Sequence, residues 1–235
     1  MTWTEIMEDE TEEILSTKWD KRDGTVIPEA EAVTLADGAV EIDATFLYAD
    51  LAGSSQLAKL CPWETTAKII KAYLHISTRL IRAYGGEIRS FDGDRVMGIF
   101  IGDYKNTNAC RCAREIFWSV EKILNPKAAE KFKSVKENNI KIKQCVGIDT
   151  GKAYAVRSGI RNNNDLIWIG AAPSIAAKLS DIREYPYCVY ITDSCYKKLG
   201  DEEKIVDGNN IWGARTFEVS GDSKSVYRTN FLRTP

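Results

Sequence analysis

The chain has 235 residues, 44% of them hydrophobic, with 32 Lys and Arg against 34 Asp and Glu and a net charge of −2. That suits one compact domain with modest extensions, and it supplies no global positive field for nucleic acid or an anionic membrane. The lone histidine, His75, excludes most: Ser-His-Asp and Cys-His catalysis, His-rich zinc sites and imidazole acid/base chemistry all need that side chain, so carboxylates are expected to carry any reaction.

Residues 1–40 differ from the rest. A short amphipathic helix is predicted across Thr4 to Trp19, followed by breakers at Asp23-Gly24, Pro28 and Asp37-Gly38, which reads as an N-terminal extension or clasp before a main domain over 41–235. The run Ile42 to Ala49 is nearly continuous in apolar character and β-prone, as a central strand buried on both faces should be, and it ends at Asp50. A small-residue turn from Leu51 to Ser55 leads to a helix at about Ser55 to Leu60. Pro62 opens a long helix in which Ile69, Ile70, Tyr73, Leu74, Leu80, Ile81 and Tyr84 recur at helical spacing until Gly85-Gly86 stops it. Glu87 to Phe91 and Arg95 to Ile101 read as a hairpin turning at Asp92-Gly93.

A second helix spans about Asn106 to Leu124, and Pro126 ends it. Lys127 to Lys143, with six Lys against two Glu, reads as a solvated helix and loop. Strands follow at Ile140 to Asp149, Ala153 to Arg157 and Leu166 to Ile169, then a helix at Pro173 to Asp181, a strand at Cys188 to Thr192, a short helix after Asp193 and a β-prone tail from Thr216. The β-α-β-β-α-β order with appended elements predicts a ferredoxin-like α+β sheet covered by helices on one face.

The six cysteines (Cys61, Cys110, Cys112, Cys145, Cys188, Cys195) read as reduced thiols acting as small hydrophobes, because a chain of this length needs no disulfide staples. The opening Met1-Thr2-Trp3-Thr4-Glu5 is not a signal segment, and no stretch approaches the ~20 apolar residues of a membrane span. A cytoplasmic protein with neither membrane nor nucleic acid as partner is expected.

Two acids stand where chemistry would want them: Asp50 at the end of the first core strand and Asp94 just past the hairpin turn. If those strands are neighbours, two carboxylates converge at one rim of the sheet and suit two hard cations roughly 3.5 to 4 Å apart. Asp92 fits the first turn position and is read as turn chemistry, whereas Asp94 follows the turn glycine. The backbone of Ala52, Gly53, Ser54 and Ser55, leading into a helix, suits a triphosphate; an ordinary Gly-Ser-Ser helix cap is the structural alternative.

At these residues a resemblance becomes specific. Phe46-Leu47-Tyr48-Ala49-Asp50-Leu51-Ala52-Gly53-Ser54 resembles the first metal motif of class III nucleotidyl cyclases, and Gly85-Gly86 through Phe91-Asp92-Gly93-Asp94-Arg95-Val96-Met97-Gly98-Ile99-Phe100 the second. Val146 to Gly151 and Trp168 to Leu179 are similar to two later segments, so four motifs in order cover about residues 43–195. The resemblance implies the class III cyclase fold, two Mg or Mn ions held by Asp50, Leu51 and Asp94, and a homodimer whose sites are composed from both chains. It implies attack of a ribose 3′-hydroxyl on the α-phosphate, with pyrophosphate leaving and a 3′,5′-cyclic nucleotide formed; that chemistry needs no histidine.

The departures from the family pattern concern the base. The two base-reading positions of purine cyclases fall on Ser90 and Ile167, which cannot select adenine or guanine in the usual way. The Asn that holds the ribose and transition state aligns with Ser174 and the phosphate-binding Arg with Lys178, a pair at i, i+4 after Pro173 that still shares one helical face. Tyr48, two residues before Asp50 on a strand, points to the same face as that carboxylate and either narrows a purine pocket to pyrimidine size or packs in the core. Together these features resemble the pyrimidine cyclases of bacterial Pycsar anti-phage systems, whose cyclic UMP or cyclic CMP activates a separate effector. The resulting expectation is a cyclase of a pyrimidine nucleoside triphosphate, UTP ahead of CTP. Two alternatives stand: an adenylate or guanylate cyclase of unusual base recognition, and a degenerate cyclase-like module that binds nucleotide or only dimerises. Ser174 and Lys178 favour the module, and the retained Asp50 and Asp94 oppose it.

Overall fold

The computed structural model describes residues 1–219 and 221–235. In chain order it places α1 (Trp3–Ser16), β1 (Asp20–Asp23), β2 (Gly38–Ala52), α2 (Ser54–Leu60), α3 (Trp63–Ala83), β3 (Glu87–Asp92), β4 (Arg95–Phe100) and α4 (Lys105–Ser119). A π-helical turn (Val120–Leu124), α5 (Asn125–Lys131), α6 (Lys133–Glu137), β5 (Lys143–Ile160), β6 (Asn163–Ile169), α7 (Ala171–Ser180), β7 (Val189–Thr192) and α8 (Asp193–Lys197) follow. The chain ends with β8 (Ile205–Val206), β9 (Asn209–Asn210), β10 (Gly213–Val219) and β11 (Asp222–Thr229). Contacts divide it into two compact units, residues 1–43 with 152–170 and residues 44–151 with 171–235.

In the first unit α1 starts on a capping box, in which the Thr2 hydroxyl accepts from the Glu5 N–H and the Glu5 carboxylate accepts from the Thr2 N–H. The helix stops at Ser16, short of the expected Trp19, and buries none of its residues. The strand β1 was not expected, because its four residues are all exposed and carry no apolar pattern; backbone pairing to Gly38–Glu41 in parallel defines it. β6 pairs antiparallel with β5 from Tyr154↔Ile169 to Ile160↔Asn163. Glu41 accepts from Lys152 and from Lys21, and these hydrogen bonds hold its carboxyl down at about 2.

The second unit carries the sheet order β10-β11-β7-β5-β2-β4-β3. β2 runs to Ala52, so it does not end at Asp50. β5 is one strand from Lys143 to Ile160 where two were expected, because Gly151 keeps ordinary strand backbone and does not break the run. Alternation sorts the side chains: Leu47, Ala49 and Leu51 of β2 with Val146 and Ile148 of β5 meet Ile69, Tyr73 and Ile81 of α3 and Cys110, Ala113 and Ile116 of α4. The opposite parity, Cys145 and Tyr190, packs on Ile175 and Leu179 of α7. Helices therefore cover both faces, not one, because the central strands are apolar on both. The approach of α7 is close: a Cβ on Gly147 would lie 2.1 Å from the Ala176 carbonyl oxygen and 2.4 Å from the Ser180 nitrogen.

Pro126 does not end the second helix. The chain passes through the π turn into α5, where Pro126 occupies the first turn and its missing N–H costs nothing, while the Asn125 side chain donates to the Val120 and Ile142 carbonyls. All six cysteines are free and buried, as their reading as small hydrophobes required. The wholly buried Glu203 accepts from Arg111 at 2.8 Å, Arg114 at 2.7 Å and Arg233 at 3.1 Å, tying the C-terminal segment to α4. Among the described residues, no helix is long and apolar enough to cross a membrane.

Candidate active site

The register of the hairpin against β2 builds the site. Asp50 lies opposite Arg95, which lies opposite Asp92; one step along, Tyr48 lies opposite Met97, which lies opposite Ser90. Directly opposed residues present their side chains to one face, so Tyr48, Met97 and Ser90 form one row and Asp50, Arg95 and Asp92 the next. Tyr48 and Asp50 have the strand parity opposite to Leu47 and Ala49, hence the face away from α3 and α4. The Arg95 guanidinium links the rows: it bonds Asp92 at 2.8 Å, lies 3.5 Å from Asp181 and sits over the Tyr48 ring, 5.6 Å from its centroid.

The turn differs from its sequence reading. Asp92 pairs with Arg95, so the two turn residues are Gly93 and Asp94, not Asp92 and Gly93; only glycine adopts the φ of +61° at the first position without strain. Asp94 is thus itself a turn residue, and its place after the glycine is no separate sign of function. Its environment is the informative feature. Among the described residues nothing hydrogen-bonds the buried Asp94 Oδ2, a costly state for a carboxylate oxygen.

Asp50 is nearly buried, and burial raises its pKa; the Arg183 guanidinium, which donates to Oδ2, pulls it back down, while the negative charge of Asp94 pushes it up again. Two carboxylates, Asp50 feeling the charge of Asp94 and Asp94 with a buried oxygen lacking a partner, fit a hard cation. Cations of the Mg type take one or two carboxylates and leave positions for substrate phosphate and water; no group of three or more His, Cys, Asp or Glu side chains gathers among the described residues.

Leu51, Ala52, Gly53 and Ser54, but not Ser55, line a cavity of about 320 Å³ together with Lys141 and Lys143. Gly53 is the N-cap of α2 and no side chain caps that helix, so the serines do not serve as the ordinary helix cap. On α7, Ser174 is exposed and Lys178 half-buried, one turn apart on the same side of the helix. Ile167 belongs to the first unit, on β6 opposite Val156, and is 44% exposed.

Two residues of the site carried no usable signal in the sequence. Met97 separates Tyr48 from Ser90 only through the pairing register. Arg183 lies 133 positions from Asp50, in a segment after α7 with no motif of its own; its second guanidinium nitrogen donates to the Ser180 carbonyl at 2.6 Å and the Ile182 carbonyl at 3.2 Å, so it also caps the C-terminal end of the helix.

No family model matches the chain. It is 45% identical to the uridylate cyclase of Rhodovulum sp. (strain MB263), over 92% of this chain and 91% of that protein. It is 38% identical to the uridylate cyclase of Xanthomonas perforans, over 93% of each. Among solved structures it superposes on a bacterial light-regulated adenylyl cyclase with a TM-score of 0.69 at 21% identity, covering 85% of this chain and about half, 54%, of that one. The guanylyl cyclase Cya2 gives 0.68 at 18%, covering 83% and 95%. With the fold of class III nucleotidyl cyclases and this identity across nine-tenths of its length, the chain belongs to the uridylate cyclase family.

Proposed function

We propose that this protein converts a pyrimidine nucleoside triphosphate, UTP ahead of CTP, to its 3′,5′-cyclic nucleotide and pyrophosphate in a divalent-cation-dependent reaction. One observation carries the reading: Asp50 and the unpartnered Asp94 Oδ2 stand beside the row of Tyr48, Met97 and Ser90, in a chain 45% identical to a protein named uridylate cyclase. Residues 41–235 are read as the catalytic domain and 1–40 as its extension.

Asp50 and Asp94, with Leu51 beside them, would hold two Mg or Mn ions. Such ions supply, when bound, a lowered pKa for the 3′-hydroxyl and charge neutralisation on the phosphates. The chain's own groups do the rest. The bond that forms joins the ribose 3′-oxygen to the α-phosphorus; the bond that breaks frees pyrophosphate, and the hydroxyl proton leaves to solvent. Ala52, Gly53 and Ser54 present backbone beside Lys141 and Lys143 for the triphosphate, with Ser55 next along the first turn of α2. Tyr48, stiffened by Arg95 over its ring, limits the room for the base, and Ser90 contributes a hydroxyl where a purine reader would stand. Ile167 replaces a second polar reader. Ser174 and Lys178 act on the ribose and phosphates, and a homodimer brings them, Ser174 exposed and Lys178 half-buried on one side of α7, from one copy to the carboxylates of the other. The resemblance to Pycsar cyclases supports a cytoplasmic second-messenger role in anti-phage defence, read by a separate effector.

The test is incubation of purified protein with each of ATP, GTP, CTP and UTP plus Mn, with products identified by mass. Cyclic UMP as the main product is expected; no cyclic product from any of the four removes the cyclase reading, and a purine product removes the pyrimidine one. Mixing Asp50→Ala with Lys178→Ala protein should restore part of the lost activity once subunits exchange. No recovery despite demonstrated exchange counts against shared sites.

A further inference from the structure

We infer that Arg183 is a built-in counter-ion for Asp50, one that competes with the divalent cation for this carboxylate and is exchanged for it when the site is loaded. The inference rests on the proposed role of Asp50 as a cation ligand. Three features point to it. The guanidinium donates to Asp50 Oδ2, an oxygen a hard cation would need. The Arg183 side chain is 41% exposed while that of Asp50 is 11% exposed, so the arginine can return to water where the carboxylate cannot. And Arg183 is anchored independently, through its other terminal nitrogen, to the Ser180 and Ile182 carbonyls at the end of α7, so losing Asp50 leaves the side chain held beside the site and not adrift.

Charge explains why a counter-ion is built there. Without one, Asp50 and Asp94 would place two negative charges at one rim, one of them nearly buried. Arg95, opposite Asp50, adds a weaker favourable charge but makes its ion pairs with Asp92 and Asp181. Arg183 therefore balances Asp50 until a cation does. Once displaced it offers a forked donor next to bound phosphates, a geometry that the lysine at position 178 lacks. A consequence follows for α7. Its exit is joined to the β2–β4 rim by two charge contacts, Arg183 to Asp50 and Asp181 to Arg95; cation loading breaks the first and keeps the second, so occupancy of the carboxylates is felt at the helix that carries Ser174 and Lys178.

A residue that merely positions Asp50 for metal and one that competes with metal give opposite results on removal. The measurement is Mn²⁺ binding to the full-length protein without nucleotide, by calorimetry and by loss of the free Mn²⁺ electron-paramagnetic-resonance signal. Arg183→Ala should tighten Mn²⁺ binding about fivefold, the weight of one half-exposed charge pair, and should raise KM for the nucleotide. Arg183→Lys should bind Mn²⁺ close to the wild-type strength. Unchanged or weaker Mn²⁺ binding in Arg183→Ala, with circular dichroism and melting intact, overturns the inference. Should that variant fail to fold, Arg183→Gln, which keeps a donor for the α7 carbonyls, carries the same expectation. If the wild type itself takes up no Mn²⁺, or Asp50→Ala binds it as well as the wild type, the proposed site fails and not only the role of Arg183.

Discussion

Replacing Gly147 by alanine tests the packing that presents α7. The added Cβ would lie 2.1 Å from the Ala176 oxygen, 2.4 Å from the Ser180 nitrogen and 2.7 Å from the Leu179 Cβ, and the first two are backbone atoms that cannot rotate away. Restoring ordinary contact requires β5 and α7 to separate by about 1 Å, an overpacking that costs about 2–3 kcal/mol. For a chain of this size that lowers Tm by about 4–12 °C. Because α7 carries Ser174 and Lys178 and leads to Arg183, a shift of about 1 Å should also lower kcat by on the order of 100-fold. Gly151→Ala is the control: in the same strand its Cβ would meet only the Ala172 Cβ, at 3.8 Å, and its stability should change by less than about 0.5 kcal/mol. Urea unfolding at constant m-value and a cyclase assay on both variants decide the matter. If Gly147→Ala is as stable as Gly151→Ala, the close approach of α7 does not govern this sheet face.

Tyr48→Ala should raise turnover of purine relative to pyrimidine triphosphates by about tenfold if the phenol limits the base pocket, and an unchanged ratio in competition assays would reduce it to packing. Glu203→Gln leaves Arg114 buried and the Arg111 and Arg233 contacts weakened, and should cost about 3–5 kcal/mol in denaturant unfolding; a loss below 1 kcal/mol would show that the cluster tolerates its own positive charge. Glu41, held down to about 2 by Lys152 and Lys21, binds fewer protons folded than unfolded between its ordinary value and about 2. Its stabilisation is therefore complete above the ordinary glutamate range and lost as pH falls toward 2. Glu41→Gln should flatten that acid limb of a stability–pH profile, and an identical slope in both proteins would refute the assignment.

Much of the fold was readable from the chain because local pattern and burial agree. Pro62 and Gly85-Gly86 bound α3, the apolar run before Asp50 lies in a buried strand, and Gly93 makes a tight turn between β3 and β4. The four cyclase motifs lie where chain order put them, so fold class and family followed from the sequence. Where local rules misled, a second influence outweighed them. Pro126 sits in the first turn of a new helix, Gly151 accepts strand backbone, and the exposed β1 exists only because β2 offers it a pairing edge.

The sequence by itself pointed to carboxylates: one histidine, Asp50 and Asp94 within two cyclase-like motifs, and a loop of small residues after the first. Only the tertiary structure decided how those groups meet. It set Tyr48, Met97 and Ser90 in one row, revealed Asp94 as a turn residue with an unpartnered oxygen, packed α7 against Gly147 and delivered Arg183 to Asp50 from 133 positions away. The reason is physical. Residue type and periodicity report what a segment buries and how it is hydrogen-bonded locally, whereas strand register, helix approach and ion pairing depend on partners distant in the chain, which no local pattern encodes.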